Sequence, residues 1–171
     1  MLKQFLPNEH FKSVLDIKPE HLKEKGIKGV ITDLDNTLVA WNQEDVTPEL
    51  KDWFEQMKAA GIKITIVSNN KLSRVRAFSN LVELPYIFRA RKPLRRAFKQ
   101  AIKKMGLSKD EVVVIGDQLI TDIWGGNRVG AHTALVVPIA SSDGWATQFN
   151  RKMERFLFSA MRRRGWINWE D

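Results

Sequence analysis

The chain has 171 residues, 43% of them hydrophobic and none cysteine, and its 28 Lys and Arg against 20 Asp and Glu leave a net charge of +8. That length suits one hydrophobic core, and the lack of cysteine excludes a disulfide framework, a thiolate nucleophile and any Cys-ligated zinc or iron–sulfur centre. No apolar run approaches the roughly 18 residues of a spanning helix, and Met1 to Phe11 has no secretory apolar core, so the expectation is a cytoplasmic protein, with a peripheral place at the inner membrane face left open.

In chain order, a leader of about residues 1–26 carries scattered apolar residues (Leu2, Phe5, Leu6, Phe11, Val14, Leu15, Ile17) without a regular period. Gly29 to Asp33 is a β-branched run of the kind buried in a parallel sheet. Thr47, Pro48 and Glu49 read as N-cap, first helical residue and first-turn acid, opening a helix through Leu50, Phe54 and Met57 that stops at Gly61. Ile62 to Val67 is a strand closed by Ser68-Asn69-Asn70; a helix over Leu72 to Leu81 turns Val75 and Phe78 inward. Tyr86 to Phe88 is a brief strand, and Pro93 is expected to start a helix ending at Met105 before Gly106. Glu111 to Gly116 is the clearest buried strand, Thr121 to Val129 a short helix stopped by Gly130, and Thr133 to Val137 a last strand. At the C-terminal end Phe149, Met153, Phe156, Leu157, Ala160 and Met161 recur at helical spacing opposite Arg151, Lys152, Arg155, Arg162 and Arg163. This predicts an amphipathic helix over about 145–164, read first as docked on the core and second as interfacial. Trp166 and Trp169 raise the second reading.

Alternating strands and helices predict one α/β domain over 1–171, doubly wound, with a mainly parallel Rossmann-like sheet and helices on both faces. Ligands then bind outside the carboxyl ends of the strands. Four such loops carry polar chemistry: Asp33-Leu34-Asp35-Asn36-Thr37-Leu38 after the first strand, Ser68-Asn69 after the second, Lys92-Pro93 before the fourth helix, and Gly116-Asp117 with Asp122 after the Val112–Ile115 strand. Each alone reads as a turn, a cap or a solvated helix start. Their joint placement at successive strand ends is what points to a site.

Those residues, in that order and spacing over about Lys28 to Val137, resemble the four motifs of the haloacid dehalogenase (HAD) superfamily of phosphatases. The GDQxxTD form of the last motif and the short chain resemble more narrowly the class IIIA YqeG-type family, similar to phosphatidylglycerophosphate phosphatases. The resemblance implies a Mg²⁺-dependent phosphomonoester hydrolase in which Asp33 is the nucleophile and forms an aspartyl-phosphate. It implies metal ligation by Asp33, the backbone carbonyl of Asp35 and Asp117, with Asp122 and Thr37 supporting the ligands from behind. Asp35 would protonate the leaving alcohol and then activate water; Ser68, the backbone of Asn69 and Lys92 would hold the phosphoryl oxygens. Arg91, next to Lys92, is the fallback for the motif's base. Gln118, Thr121 and Asn127 lie near the fourth loop, and Asn127 reads as a helix-interior residue.

Many HAD phosphatases cover the site with an inserted cap. Here the chain from Thr37 to Thr47 and from Phe88 to Pro93 is too short to hold one, which suits a phosphate on a bulky or surface-held molecule. From Lys71 to Lys104 eleven basic residues stand with one acid, Glu83, so this segment carries +10 and the remainder −2. Placed around two phosphate-handling loops, that excess fits a phosphate ester, above all an anionic phospholipid at a membrane surface. The resemblance favours phosphatidylglycerophosphate as substrate. The rivals are a soluble sugar phosphate or nucleotide, and a basic nucleic-acid-binding module on the same fold, which predicts salt-dependent binding indifferent to Asp33→Asn; no aromatic-interleaved basic strand favours the latter, and no nucleic acid is expected. His10, His21 and His132 have no metal-ligand spacing and are given no catalytic role.

Overall fold

The structure is a computed structural model that describes residues 1–140 and 145–169. Its strands are β1 (Glu9–Phe11), β2 (Gly29–Thr32), β3 (Lys63–Val67), β4 (Tyr86–Ile87), β5 (Val112–Gly116) and β6 (His132–Val136). They form a six-stranded sheet in the order β1-β6-β5-β2-β3-β4, parallel at every pairing. The helices are α1 (Pro19–Glu24), α2 (Pro48–Ala59), α3 (Leu72–Val82), α4 (Arg95–Met105), α5 (Gly125–Val129) and α6 (Trp145–Arg163).

The two-residue period of a strand explains the unbroken apolar runs. In β5, Val113 and Ile115 join Val30, Ile64 and Ile66 under α2 and α3, where Leu50, Trp53, Met57, Val75 and Phe78 pack. Val112 and Val114 face the other way, with Ile31 and Val67, under Ala97, Phe98, Ala101 and Met105 of α4. Both faces of the sheet are therefore dry. The caps agree with the sequence at α2, where the Thr47 hydroxyl accepts from the Leu50 N–H at 3.2 Å and Pro48 opens the first turn.

Three expectations are corrected. Pro93 does not begin α4: it follows a cis Lys92–Pro93 peptide, and α4 starts at Arg95 with Leu94 as N-cap, since Lys92 is drawn inward and the chain must turn before it can coil. Thr121 to Val129 is not one helix but a π-helical turn over Leu119–Trp124 followed by α5. The leader, expected only as scattered apolar residues, is part of the fold. It supplies edge strand β1, paired with β6, and Leu2, Phe5 and Leu6 pack with Leu119, Ile123, Leu157, Met161 and Ile167 into a third apolar cluster.

That cluster also decides how α6 lies. Leu157 and Met161 are buried in it, whereas Phe149, Met153 and Phe156 of the same apolar stripe are 70%, 45% and 72% exposed. The docked reading thus holds for only one side of the stripe. Trp166 and Trp169 pack in the cluster, Trp169 stacked on His10 at 4.6 Å between ring centroids, which removes the reason for reading them as interfacial. Asn127 is a clamp: its amide donates to the carbonyls of Gln4 and Leu6 at 2.8 and 3.0 Å and holds the leader down. None of the described helices is long and apolar enough to cross a membrane.

Candidate active site

From β2 the chain winds outward through β3 to β4, then returns to the far side of β2 as β5. The switch point lies between β2 and β5, and the crevice beyond their carboxyl ends is the place where a doubly wound sheet binds ligands. Asp33 follows β2 there, its N–H donating to the Ile115 carbonyl at 3.0 Å, and Asp117 follows β5. Carboxylate oxygens of Asp33, Asp117 and Asp122 all lie within 4.8 Å of one another. Into this group reaches Lys92, whose Nζ donates to Asp33 Oδ1 at 2.9 Å and to Asp122 Oδ1 at 2.7 Å. All four side chains are buried.

Local backbone chemistry sets each member. Gly116 is required by close approach: a Cβ there would stand 2.2 Å from the Asp122 carboxyl carbon, so only glycine lets the π-helical turn bring Asp122 back over the end of β5. The N–H of Gln118 then donates to Asp122 Oδ2 at 3.2 Å. After β2 the chain makes a tight turn, with the Asn36 N–H on the Val39 carbonyl at 2.6 Å and Asn36 at φ +63°, a conformation asparagine tolerates better than most residues. The turn carries the Thr37 hydroxyl to Asp117 Oδ1 at 3.0 Å. Thr37 therefore ties the first loop to the fourth.

Asp35 stands apart from that cluster. Its carboxylate accepts from Arg74 Nε and Nη2 at 3.1 and 3.0 Å and from the Asn70 amide at 2.9 Å. Ser68 is buried and its hydroxyl accepts from the Asn70 N–H at 3.0 Å. The Asn69 side chain acts as a brace, accepting from the Lys92 N–H at 2.7 Å and donating to the Lys92 carbonyl at 3.2 Å. That two-point hold presents Lys92, rather than exposed Arg91, to the carboxylates.

Crowded acids in a dry site resist ionisation. Burial pushes the Asp122 carboxyl up to about 6, with the charge of Asp33 adding to it and Lys92 opposing. Asp117 is raised well above the ordinary range by burial and then by Asp33 and Asp122, against the guanidinium of Arg151. Asp35 is raised by burial and by Asp33, despite Asn70 and Arg74. Burial alone would lower Lys92, but Asp122 and Asp33 more than offset it and hold the ammonium charged. Arg151, from α6, donates to the carboxylate and carbonyl of Asp117 and to Glu154.

Three carboxylates against two cations leave the cluster short of positive charge, and its donors are all hard oxygens. That set fits a divalent cation of the Mg²⁺ type. Sequence reasoning missed Arg74, Asn70, Arg151 and Glu154. Arg74 could have been found, since it lies in the first turn of the helix that follows the Ser68 loop and so sits at the carboxyl edge. Arg151 could not: it is 34 residues beyond Asp117, on a helix whose pattern speaks only of amphipathicity.

Residues 9–130 match the haloacid dehalogenase-like hydrolase family. The chain is 56% identical, over the whole length of both, to "Probable phosphatase YqeG" of Bacillus subtilis. It is 31% identical, over 95% of this chain and 50% of the relative, to "Phosphatidylglycerophosphate phosphatase 1, chloroplastic/mitochondrial" of Arabidopsis thaliana, so it spans half of that protein. Among solved structures, the cobalt-bound deoxy-D-mannose-octulosonate 8-phosphate phosphatase of Haemophilus influenzae superposes with a TM-score of 0.52 at 16% identity, covering 81% of this chain and 91% of that one. The fold is shared; six parallel strands carry the site and no cap domain is inserted among the described residues.

Proposed function

From the premise that the chain belongs to the haloacid dehalogenase-like hydrolase family and is a phosphatase, we propose that it hydrolyses the phosphomonoester of phosphatidylglycerophosphate through an aspartyl-phosphate on Asp33. The observation that carries the mechanism is the division of labour within one motif. Asp33 is fixed in the buried cluster by Lys92, while Asp35, two residues on, faces Arg74 and Asn70 with its carboxyl held above its ordinary value by burial and by Asp33. The Lys92 contact fixes the Asp33 carboxylate where it can attack, and the upward shift of Asp35 favours the protonated form that a general acid uses.

In the first step an Asp33 carboxylate oxygen bonds to phosphorus as the ester P–O bond breaks, and Asp35 gives its proton to the departing alcohol oxygen. In the second, water attacks the same phosphorus, Asp35 takes the proton, and the bond to Asp33 breaks to release phosphate. Lys92 holds a phosphoryl oxygen, aided by the Ser68 hydroxyl and the Asn69 N–H, as negative charge builds. Asp33, Asp117 and the Asp35 carbonyl would hold Mg²⁺, which supplies the charge that lets a carboxylate approach a phosphate dianion. Asp122 and Thr37 keep Lys92 and Asp117 in place. The likeness to the plant enzyme supports the lipid substrate, as does a site over which the described residues insert no cap domain.

Detergent-dispersed phosphatidylglycerophosphate and soluble sugar phosphates, offered to wild type and Asp33→Asn with and without Mg²⁺, test the reading. Wild type should release phosphate from the lipid in preference to the soluble esters, and Asp33→Asn should lose at least roughly 10³-fold in turnover while keeping its far-ultraviolet circular dichroism. Equal turnover of sugar phosphates would sink the lipid assignment, and activity retained in Asp33→Asn would sink the nucleophile.

A further inference from the structure

The carboxyl edge of the sheet carries apolar and basic side chains on both sides of the crevice. On the β4 side, Phe88 and Leu94 are 38% and 54% exposed, and Arg89, Arg91, Arg95 and Arg96 beside them are exposed as well. On the β6 side stands Ile139, 52% exposed, followed by the open stripe of α6. Phe149, Met153 and Phe156 repeat there at a spacing of four and three residues, which places them on one helical face. Exposed Lys152 and Arg155 flank that face. Arg151 bonds to the carbonyl and carboxylate of Asp117, so this stripe begins beside the crevice.

The chemistry of the two flanks is the same, and it is one-signed. Between Glu83 and Asp110 the sequence holds no acid, and on α6 the first acid, Glu154, is buried and paired with Arg151. Arg89 and Arg91 adopt left-handed backbone, φ +43° and +57°, on either side of buried Ala90. Such a conformation is disfavoured for a non-glycine residue, and it is maintained by the Arg89 and Ala90 N–H groups on the carbonyls of Asn70 and Ser68, both at 2.9 Å. This crank sends Ala90 inward and leaves both guanidinium groups outside. Mixed aliphatic, aromatic and cationic side chains around an uncovered phosphate site match the layered chemistry of a bilayer surface, apolar beneath anionic headgroups.

We propose that this edge docks on an anionic phospholipid bilayer, so that a headgroup phosphate reaches Asp33 while its acyl chains remain in the membrane. The inference rests on the lipid-borne phosphate proposed above, and it adds the surface that meets the lipid and its two halves. Phe88 and Leu94 with the four arginines form one half; Ile139 with the α6 stripe forms the other.

Sedimentation of the full chain with phosphatidylcholine vesicles, with and without phosphatidylglycerol, tests the proposal. Wild type should partition onto the phosphatidylglycerol vesicles and come off as salt is raised. Phe88→Ser/Leu94→Ser and Phe149→Ser/Phe156→Ser, all exposed positions, should each weaken partition roughly tenfold with turnover of a soluble aryl phosphate unchanged. Vesicle binding by both double variants equal to wild type overturns the proposal, as does absence of wild-type binding at low salt. Conversion of a dimer to a monomer by these variants with vesicle partition untouched also overturns it, because the face is then a contact between copies. Wild type that docks but leaves vesicle-borne phosphatidylglycerophosphate intact supports the surface and refutes the substrate; hydrolysis of the detergent-dispersed lipid without docking does the reverse.

Discussion

Two groups of acids sit in this molecule under opposite rules. At the crevice, Asp33, Asp117 and Asp122 converge in a dry space, and burial and mutual repulsion raise Asp117 and Asp122. On the far edge, Glu9 of β1 accepts from His132 at 2.8 Å and from His21 at 2.5 Å, with Lys25 at 3.7 Å. Burial pushes Glu9 up, but the hydrogen bonds from the two histidines outweigh it and hold the carboxyl below its ordinary value. Ionising Asp117 or Asp122 works against the fold, and ionising Glu9 works for it. At Glu9 the donors outweigh burial, whereas at Asp117 and Asp122 burial outweighs the donors they have.

The largest test of that contrast is Lys92→Met. It strips the only buried ammonium described from the crevice, leaving carboxylates unpaired, and should cost about 3–5 kcal/mol in metal-free urea unfolding and abolish turnover. A smaller loss would mean that the acids share protons and that the contrast is overstated. Next comes pH. Asp122 is raised in the fold, so its ionisation costs stability: metal-free protein should gain up to about 3 kcal/mol as pH falls from 7 through 6 toward the ordinary aspartate value, and lose it on the way back. Thermal melts at pH 7 and pH 5, without and with Mg²⁺, check this; the gain should shrink when Mg²⁺ is present, since the cation does what the proton would.

Arg151→Met probes the crevice from the α6 side, because it removes that helix's cation from Asp117. Metal-free stability should fall by about 1–3 kcal/mol, and the rise in melting temperature produced by Mg²⁺ should become larger than in wild type. An unchanged Mg²⁺ increment would show that Arg151 and the metal do not compete for Asp117. The smallest effect belongs to Glu9→Gln. Partly exposed and screened, the Glu9 pairs are worth about 0.5 kcal/mol. That contribution is present above pH 4.5 and is lost as pH falls through the depressed folded value. Its pH trend should therefore run opposite to that of the crevice.

Sequence reading reached the central sheet because its signals are local. A parallel strand buried on both faces is a short β-branched run, and the residue just past it stands at the carboxyl edge; Asp33, Ser68 and Asp117 follow from that rule alone. It reached the burial of Lys92 less well, since a lysine before a proline looks like a solvated helix start, and what draws it inward is the Asn69 brace on its backbone. The edge strand escaped altogether. Glu9 to Phe11 is three residues long and only partly buried, so it carries no period, and its partner β6 is far along the chain. The α6 stripe was legible as apolar but not as divided, because which side is covered depends on Leu2, Phe5 and Leu6 at the opposite end of the sequence.

That last pairing bears on the order in which the molecule can be completed. Asn8 hydrogen-bonds to Thr133 across a separation of 125 residues, and the cluster that holds the leader is closed by Leu157, Met161 and Ile167. During synthesis the strands from β2 to β5 and both flanking layers of helices can assemble while the leader still lacks its neighbour. The strand that comes earliest in the chain thus waits for the latest one, β6, before it has a place in the sheet.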